Sequence, residues 1–184
     1  MIVVCSVLFL SSAAFAEQTR EYQIKAEFLE RFTRFIEWPA DSDVSNVSLP
    51  FSICIIGKNP YGSYLKDLAG TLKIQNKTIV LSEASSVEQL GTCNLLFISN
   101  SEKSRLNSIL NYTREKPILT VSDSPGFGEA GVLINFYETE GYVRFEINTG
   151  AVERSRLRFS SRLFKLGRLI QPSDGATGDK NAIP

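Results

Sequence analysis

Apolar and polar positions recur along this chain at two periods, and the switches between them mark its elements. From Tyr22 to Ile36, Phe28, Leu29, Phe32, Phe35 and Ile36 fall at i, i+1, i+4, i+7 and i+8, a wide apolar stripe that predicts an amphipathic helix. Lys25, Glu27, Glu30, Arg31 and Arg34 are expected to take much of the opposite side. Trp38-Pro39 is expected to stop the helix, because proline disfavours helical dihedrals in the residue before it. Phe51 to Ile56 then reads as a strand closed by Gly57, Tyr61 to Ala69 as a helix, and Thr78 to Leu81 as a short strand. Leu95 to Ile98 is wholly apolar, the type of strand buried on both faces. Glu102 to Tyr112 predicts a helix with Leu106, Ile109 and Leu110 inward, and Ile118 to Val121 another strand. Strands alternating with helices predict an α/β layer structure with a mixed, largely parallel central sheet flanked by helices.

The pattern then changes. Val132 to Phe136 and Tyr142 to Ile147 are strand-like segments around Glu138 to Gly141, a spacing that predicts an antiparallel hairpin. A short helix near Ala151, an extended Leu157 to Phe159 and a helix from about Ser161 to Ile170 complete the C-terminal part. Leu163, Leu166 and Ile170 are expected to form the buried stripe of that last helix. There is no internal repeat.

Both ends read differently from the middle. Met1 to Ala16 is an apolar run ending in Ala14-Phe15-Ala16, a small-x-small pattern, and reads as an export signal cleaved after Ala16. No Lys or Arg precedes the run, and it is shorter than the roughly 20 apolar residues of a membrane-spanning helix. Ile2-Val3-Val4 before Cys5 makes no convincing lipoprotein box. Residues 173–184, SDGATGDKNAIP, carry few large side chains to offset ordering entropy and read as a disordered tail. One domain, 17–172, remains between them.

Composition narrows the function. Twenty basic residues balance twenty acidic ones, so no global charge favours nucleic acid, and no second apolar run approaches spanning length. A soluble exported protein without direct membrane insertion is expected. The chain has no histidine, which removes Ser-His-Asp and Cys-His catalysis, and its carboxylates make no evident dyad. We therefore expect no enzyme, no cofactor and no metal. Export leaves two cysteines, Cys54 and Cys93, which read as one disulfide in an oxidising compartment. Closing a loop of about 40 residues would stabilise the fold by roughly 4 kcal/mol in the chain-entropy picture. Gly57-Lys58-Asn59-Pro60-Tyr61-Gly62 sits where phosphate loops occur but lacks their residue order, and reads as a strand-to-helix turn.

Charge is uneven near the C-terminus. Arg154, Arg156, Arg158, Arg162, Lys165 and Arg168 stand in a segment with Glu153 as its one acid. Helix-dipole complementarity accounts for the last two. Arg154, Arg156 and Arg158 alternate with Leu157 and Phe159, so one face is expected to pack and the other to present guanidinium groups. This is either a solvated basic face or an anion site or docking surface using arginine's bidentate geometry. Arg144 and Glu146 on the neighbouring strand could complete such a surface.

Four ordered blocks resemble the YfiR-like periplasmic proteins. They are Lys25 to Leu29 running into Phe35 to Pro39; Cys54-Ile55-Ile56-Gly57; Cys93 to Ser99; and Gly131 to Phe136 followed by Arg144 to Asn148 and Leu157 to Ser161. The resemblance implies a periplasmic repressor that binds the sensor domain of an inner-membrane diguanylate cyclase and holds it inactive. An outer-membrane lipoprotein would sequester the repressor, and its release would raise cyclic di-GMP and favour biofilm. It also implies a homodimer. Carried over by position, Cys54 and Cys93 match the family's structural disulfide, and Glu146 and Val152 match partner-contact positions. With Ile134 and Arg144 they form the expected partner-binding set. Arg158 matches a small-ligand position. A second cysteine pair would fall near Gly128 and Asn135 and is absent here, so redox regulation through it is not expected. The alternative is a periplasmic small-molecule binder in which Arg144 and Arg158 hold a carboxylate.

Overall fold

The computed structural model describes residues 5–171, with side chains from Glu17 onward apart from Gln18. The expected tail lies outside the described residues, as do the first four residues of the expected signal. Over Cys5 to Ala16 the backbone is helical and runs without a break into the predicted amphipathic helix, giving α1, Cys5–Thr33. No helix of the described residues is long and apolar enough to cross a membrane.

The chain continues through β1 (Ile36–Glu37), β2 (Phe51–Ile56), α2 (Tyr64–Thr71), β3 (Lys73–Ile74), β4 (Lys77–Ala84), β5 (Leu95–Ile98), α3 (Leu106–Thr113) and β6 (Leu119–Ser122). It ends with α4 (Phe127–Ala130), β7 (Ile134–Thr139), β8 (Tyr142–Asn148), α5 (Thr149–Arg154), β9 (Arg158–Phe159), α6 (Ser161–Leu166) and β10 (Arg168–Ile170). Eight strands form one sheet in the order β10-β8-β7-β6-β5-β2-β4-β3, and β1 pairs with β9 apart from it. Only β7–β8 and β3–β4 are antiparallel within the large sheet. The expected fold class is therefore the observed one. Glu140 and Gly141, with φ of 54° and 73°, supply the two left-handed residues that a tight β7–β8 hairpin needs.

Side chains of the central strands alternate between two cores, as a period of two requires. Ile53, Ile55, Leu95, Phe97, Leu119 and Val121 face the helices α1 and α2. Cys54, Ile56, Leu96 and Ile98 face the opposite layer with Leu106, Ile109 and Phe127 from α3 and α4. Cys54 and Cys93 are bonded with their Cα atoms 6.0 Å apart, within the reach a disulfide allows. β5 lies beside β2, and the bond ties the segment that leads into β5 to the neighbouring strand.

Several expectations are corrected. Phe35 and Ile36 do not belong to the helix, which ends at Thr33; Ile36 pairs instead with Phe159, and Phe35 O accepts from Ser160 N at 2.9 Å. The last helix stops at Leu166 rather than Ile170, because Gly167 lets the chain pass over the Phe145 ring and turn into the edge strand β10. Leu166 is then exposed, and only Leu163 of the expected stripe is buried. The helix after β5 begins as a 3-10 turn over Asn100–Arg105 before α3, and the one after β2 starts at Tyr64 rather than Tyr61. Lys25 and Glu30 are buried rather than on a solvated face.

Replacing Cys54 and Cys93 together by alanine should destabilise the protein by about 4 kcal/mol, since the disulfide spans 39 residues and closes that loop in the unfolded chain. Urea denaturation of the double variant checks this, with the reduced parent showing a comparable loss.

Candidate functional site

Lys25 explains why α1 lies where it does. The residue is 3% exposed and its ammonium donates to Asp123 Oδ2 at 2.8 Å, while Glu21, one turn earlier, supplies a second carboxylate. It also sits 4.6 Å from the centroid of the Tyr22 ring. Asp123 follows β6 directly, so the contact pins α1 across the carboxyl ends of the parallel strands. Tyr22 meets Tyr61 edge-on at 5.5 Å, and Tyr61 meets Phe97 at 4.9 Å. Burial first, then the Asp123 carboxylate, pushes the Tyr22 and Tyr61 phenols well above their ordinary range, so both stay neutral hydroxyls. The Tyr61 hydroxyl is buried without a hydrogen-bond partner.

These tyrosines line a cleft of about 840 Å³. Its walls are the Lys58–Tyr64 loop after β2, Ser99–Ser101 after β5, and Thr19, Tyr22 and Gln23 of α1. Gly57, with φ of 89°, lets the loop pass close to Ser101 and Glu102, and Ser101 Oγ accepts from Lys58 N at 3.0 Å. Asn59 Oδ1 accepts from Tyr61 N at 2.8 Å, which closes the strand-to-helix turn expected there. The sequence held no signal for this cleft beyond that turn, because its walls come from three segments far apart in the chain.

Arg144, Glu146 and Arg168 lie elsewhere, at the end of the sheet carrying β8 and β10. Arg144 is exposed beside Tyr142, with the guanidinium 5.7 Å from that ring's centroid. Glu146, by contrast, is 2% exposed. It accepts from Asn135 Nδ2 at 3.2 Å and is ion-paired with Arg168 of β10. The Arg168 guanidinium also lies 4.2 Å from the Tyr137 centroid. Ile134 and Val152 are buried in the α1-side core. Of the expected partner-binding set, only Arg144 is exposed.

The arginines of the run diverge rather than converge. Arg154 borders a small cavity of about 70 Å³ together with Arg114. Arg156 donates to both oxygens of Asp41 at 2.8 and 2.6 Å, and that guanidinium holds the Asp41 carboxyl below its ordinary range. Arg158 is exposed, opposite Glu37 in the β1–β9 pair. Arg144 stands on β8 of the large sheet and Arg158 on β9 of the separate two-stranded pair.

The places matched to a second cysteine pair do meet. A Cβ added at Gly128 would lie 3.2 Å from Asn135 Cβ, and would collide with the Glu146 carboxylate. Polar contacts occupy this spot: Asn148 Nδ2 donates to Gly128 O at 2.7 Å, and its Oδ1 caps α5 through Ala151 N. Among the described residues no group of three or more His, Cys, Asp or Glu could hold a metal ion.

Residues 22–168 match the YfiR/HmsC-like family, so the chain belongs to it. No curated protein matches it. The match starts at Tyr22, at the tyrosine–lysine node of α1, and ends at Arg168, the partner of Glu146.

One electrostatic consequence is measurable. Glu138 on β7 faces Glu21, with Glu17 near and Lys25 opposing; desolvation and the Glu21 carboxylate raise its pKa above the ordinary 4.5. A carboxyl whose folded pKa is raised binds its proton more tightly in the folded state, so its contribution to stability falls as pH rises through that window. Glu138→Gln should therefore be more stable than the parent at pH 7 and show no such advantage below the ordinary glutamate value, as read by urea unfolding at both pH values.

Proposed function

We propose that this chain is a periplasmic regulator of cyclic di-GMP signalling. It binds the periplasmic sensor domain of an inner-membrane diguanylate cyclase and biases it towards the inactive conformation. The observation that carries this reading is the family match over residues 22–168. The buried Cys54–Cys93 bond supports it, because such bonds persist in oxidising compartments outside the cytosol. Absence of histidine supports a regulatory rather than a catalytic role.

Inhibition here is a population shift. The regulator needs a higher affinity for the inactive than for the active cyclase, and contributes only that difference. Sequestration by an outer-membrane lipoprotein would withdraw it, and cyclase output would rise. A homodimer would present two such surfaces. Export with cleavage after Ala16 would leave α1 beginning at Glu17, with the whole Lys25 node intact.

Arg144 is the residue of the expected set that can meet a partner without rearrangement. Glu146 lies beneath Arg168, so contact through Glu146 requires β10 to give way at the sheet edge. Edge strands are the usual place for such exchange. Val152 and Ile134 would act by shaping α5 and β7 rather than by touching the partner.

Co-purification from membranes with tagged protein tests this reading. A diguanylate cyclase should be recovered, and Arg144→Ala should reduce recovery about tenfold, as loss of an interface arginine does, without loss of folding. Glu146→Ala should also reduce it, and Arg158→Ala should leave it unchanged. Recovery of another receptor, or equal recovery with Arg144→Ala, would contradict the proposal.

A further inference from the structure

We propose that the cleft at the carboxyl ends of β2 and β5 is a binding site for a neutral, ring-shaped polyhydroxylated molecule of mono- to disaccharide size. The first argument is topological. From β2 the chain leaves through α2 to β4 on one side, and then returns to place β5 on the other side of β2. The loops after β2 and β5 therefore leave in opposite senses. That reversal opens a crevice at the carboxyl ends of the strands, where open parallel sheets bind ligands. The cleft lies at this point, and its volume of about 840 Å³ falls within the range of small-molecule sites.

The second argument is the chemistry of the walls. Tyr22, Tyr61 and Tyr64 offer aromatic surface, and Gln23, Asn100 and Ser99 offer amide and hydroxyl groups that both donate and accept. A sugar ring presents the complementary set, with apolar C–H faces and a rim of hydroxyls. Among the lining residues Lys58 and Asp67 are the charged ones and cancel, so the cleft holds no surplus of cations for a phosphate or a dicarboxylate. Nor do its walls resemble an aliphatic slot.

The third argument is an unmet hydrogen bond. Tyr61 is 4% exposed, lines the cleft, and its hydroxyl has no partner. Buried polar groups are paired in the great majority of cases, and an orphan costs its full desolvation. A ligand hydroxyl that reached this group from the cleft would supply the missing partner. Occupancy would also tie α1 to the β2 loop, since Thr19, Tyr22 and Gln23 form the facing wall. This site and ligand class are independent of the cyclase reading and separate from Arg144 and Arg158.

The test is an amide NMR titration of the purified protein with glucose, N-acetylglucosamine and cellobiose, with benzoate and inorganic phosphate as charged comparators. At least one sugar should give saturable shifts confined to residues 19–23, 58–64 and 99–101. Tyr61→Phe, which removes only the hydroxyl, should weaken that binding by about tenfold while raising the stability of the free protein. Tyr64→Ala should weaken it as well, and Arg158→Ala should not. Absence of saturable shifts in these segments with all three sugars would overturn the proposal. So would tighter binding of benzoate or phosphate there, or unchanged sugar affinity in Tyr61→Phe.

Discussion

A single buried ammonium sets the placement of the longest helix. Taking a lysine out of water costs several kcal/mol unless its charge is met by carboxylates at hydrogen-bond distance. Lys25 is met twice, by Glu21 from its own helix and by Asp123 from the end of β6. Sliding α1 by one turn would strand both the ammonium and Asp123. With the helix held there, Phe32 reaches Phe136 and Phe145, at 5.5 and 4.9 Å between ring centroids, and closes the core over the hairpin. The same docking turns Tyr22 and Gln23 towards the β2 loop, so the ion pair that seats the helix also builds one wall of the cleft.

The other end of the sheet obeys a related rule with a different outcome. Glu146 is buried on β8, and its compensating charge comes from Arg168 on the edge strand, whose own side chain is half exposed. A carboxylate paired with a cation at a sheet edge can be uncovered at modest cost, whereas Lys25 is enclosed by two elements. The molecule thus has a firmly tied helix at the strand carboxyl ends and a loosely tied edge at β10. In a regulator these are suitable places for a sensing site and for a partner surface respectively.

The sequence carried the central strands well because their burial writes itself in composition. Phe51–Ile56 and Leu95–Ile98 are apolar runs of strand length, and their boundaries agree with the structure. The disulfide was equally legible, since two cysteines in a chain read as exported leave few other roles. The two-residue strands β1 and β9 were not legible as a pair, because their partnering depends on where α1 ends relative to β9. Likewise β10 read as helix because Leu163, Leu166 and Ile170 fit a helical spacing, and only the close approach of Gly167 to Phe145 shows why the chain must turn. Lys25 and Glu146 look like surface charges in one dimension; each is buried by a partner far away in sequence. The arginine run was visible, but its divergence towards Asp41, Glu37 and Glu146 depends on tertiary geometry.

The role we propose for this chain is to hold a membrane diguanylate cyclase inactive from the periplasmic side. The most direct measurement is cellular cyclic di-GMP with the gene deleted, restored, and restored in a strain lacking the cyclase recovered with it. In that role deletion raises cyclic di-GMP, restoration returns it to the parental level, and neither change matters once the cyclase is absent. Cyclic di-GMP unaltered by deletion, or altered equally without the cyclase, would contradict it.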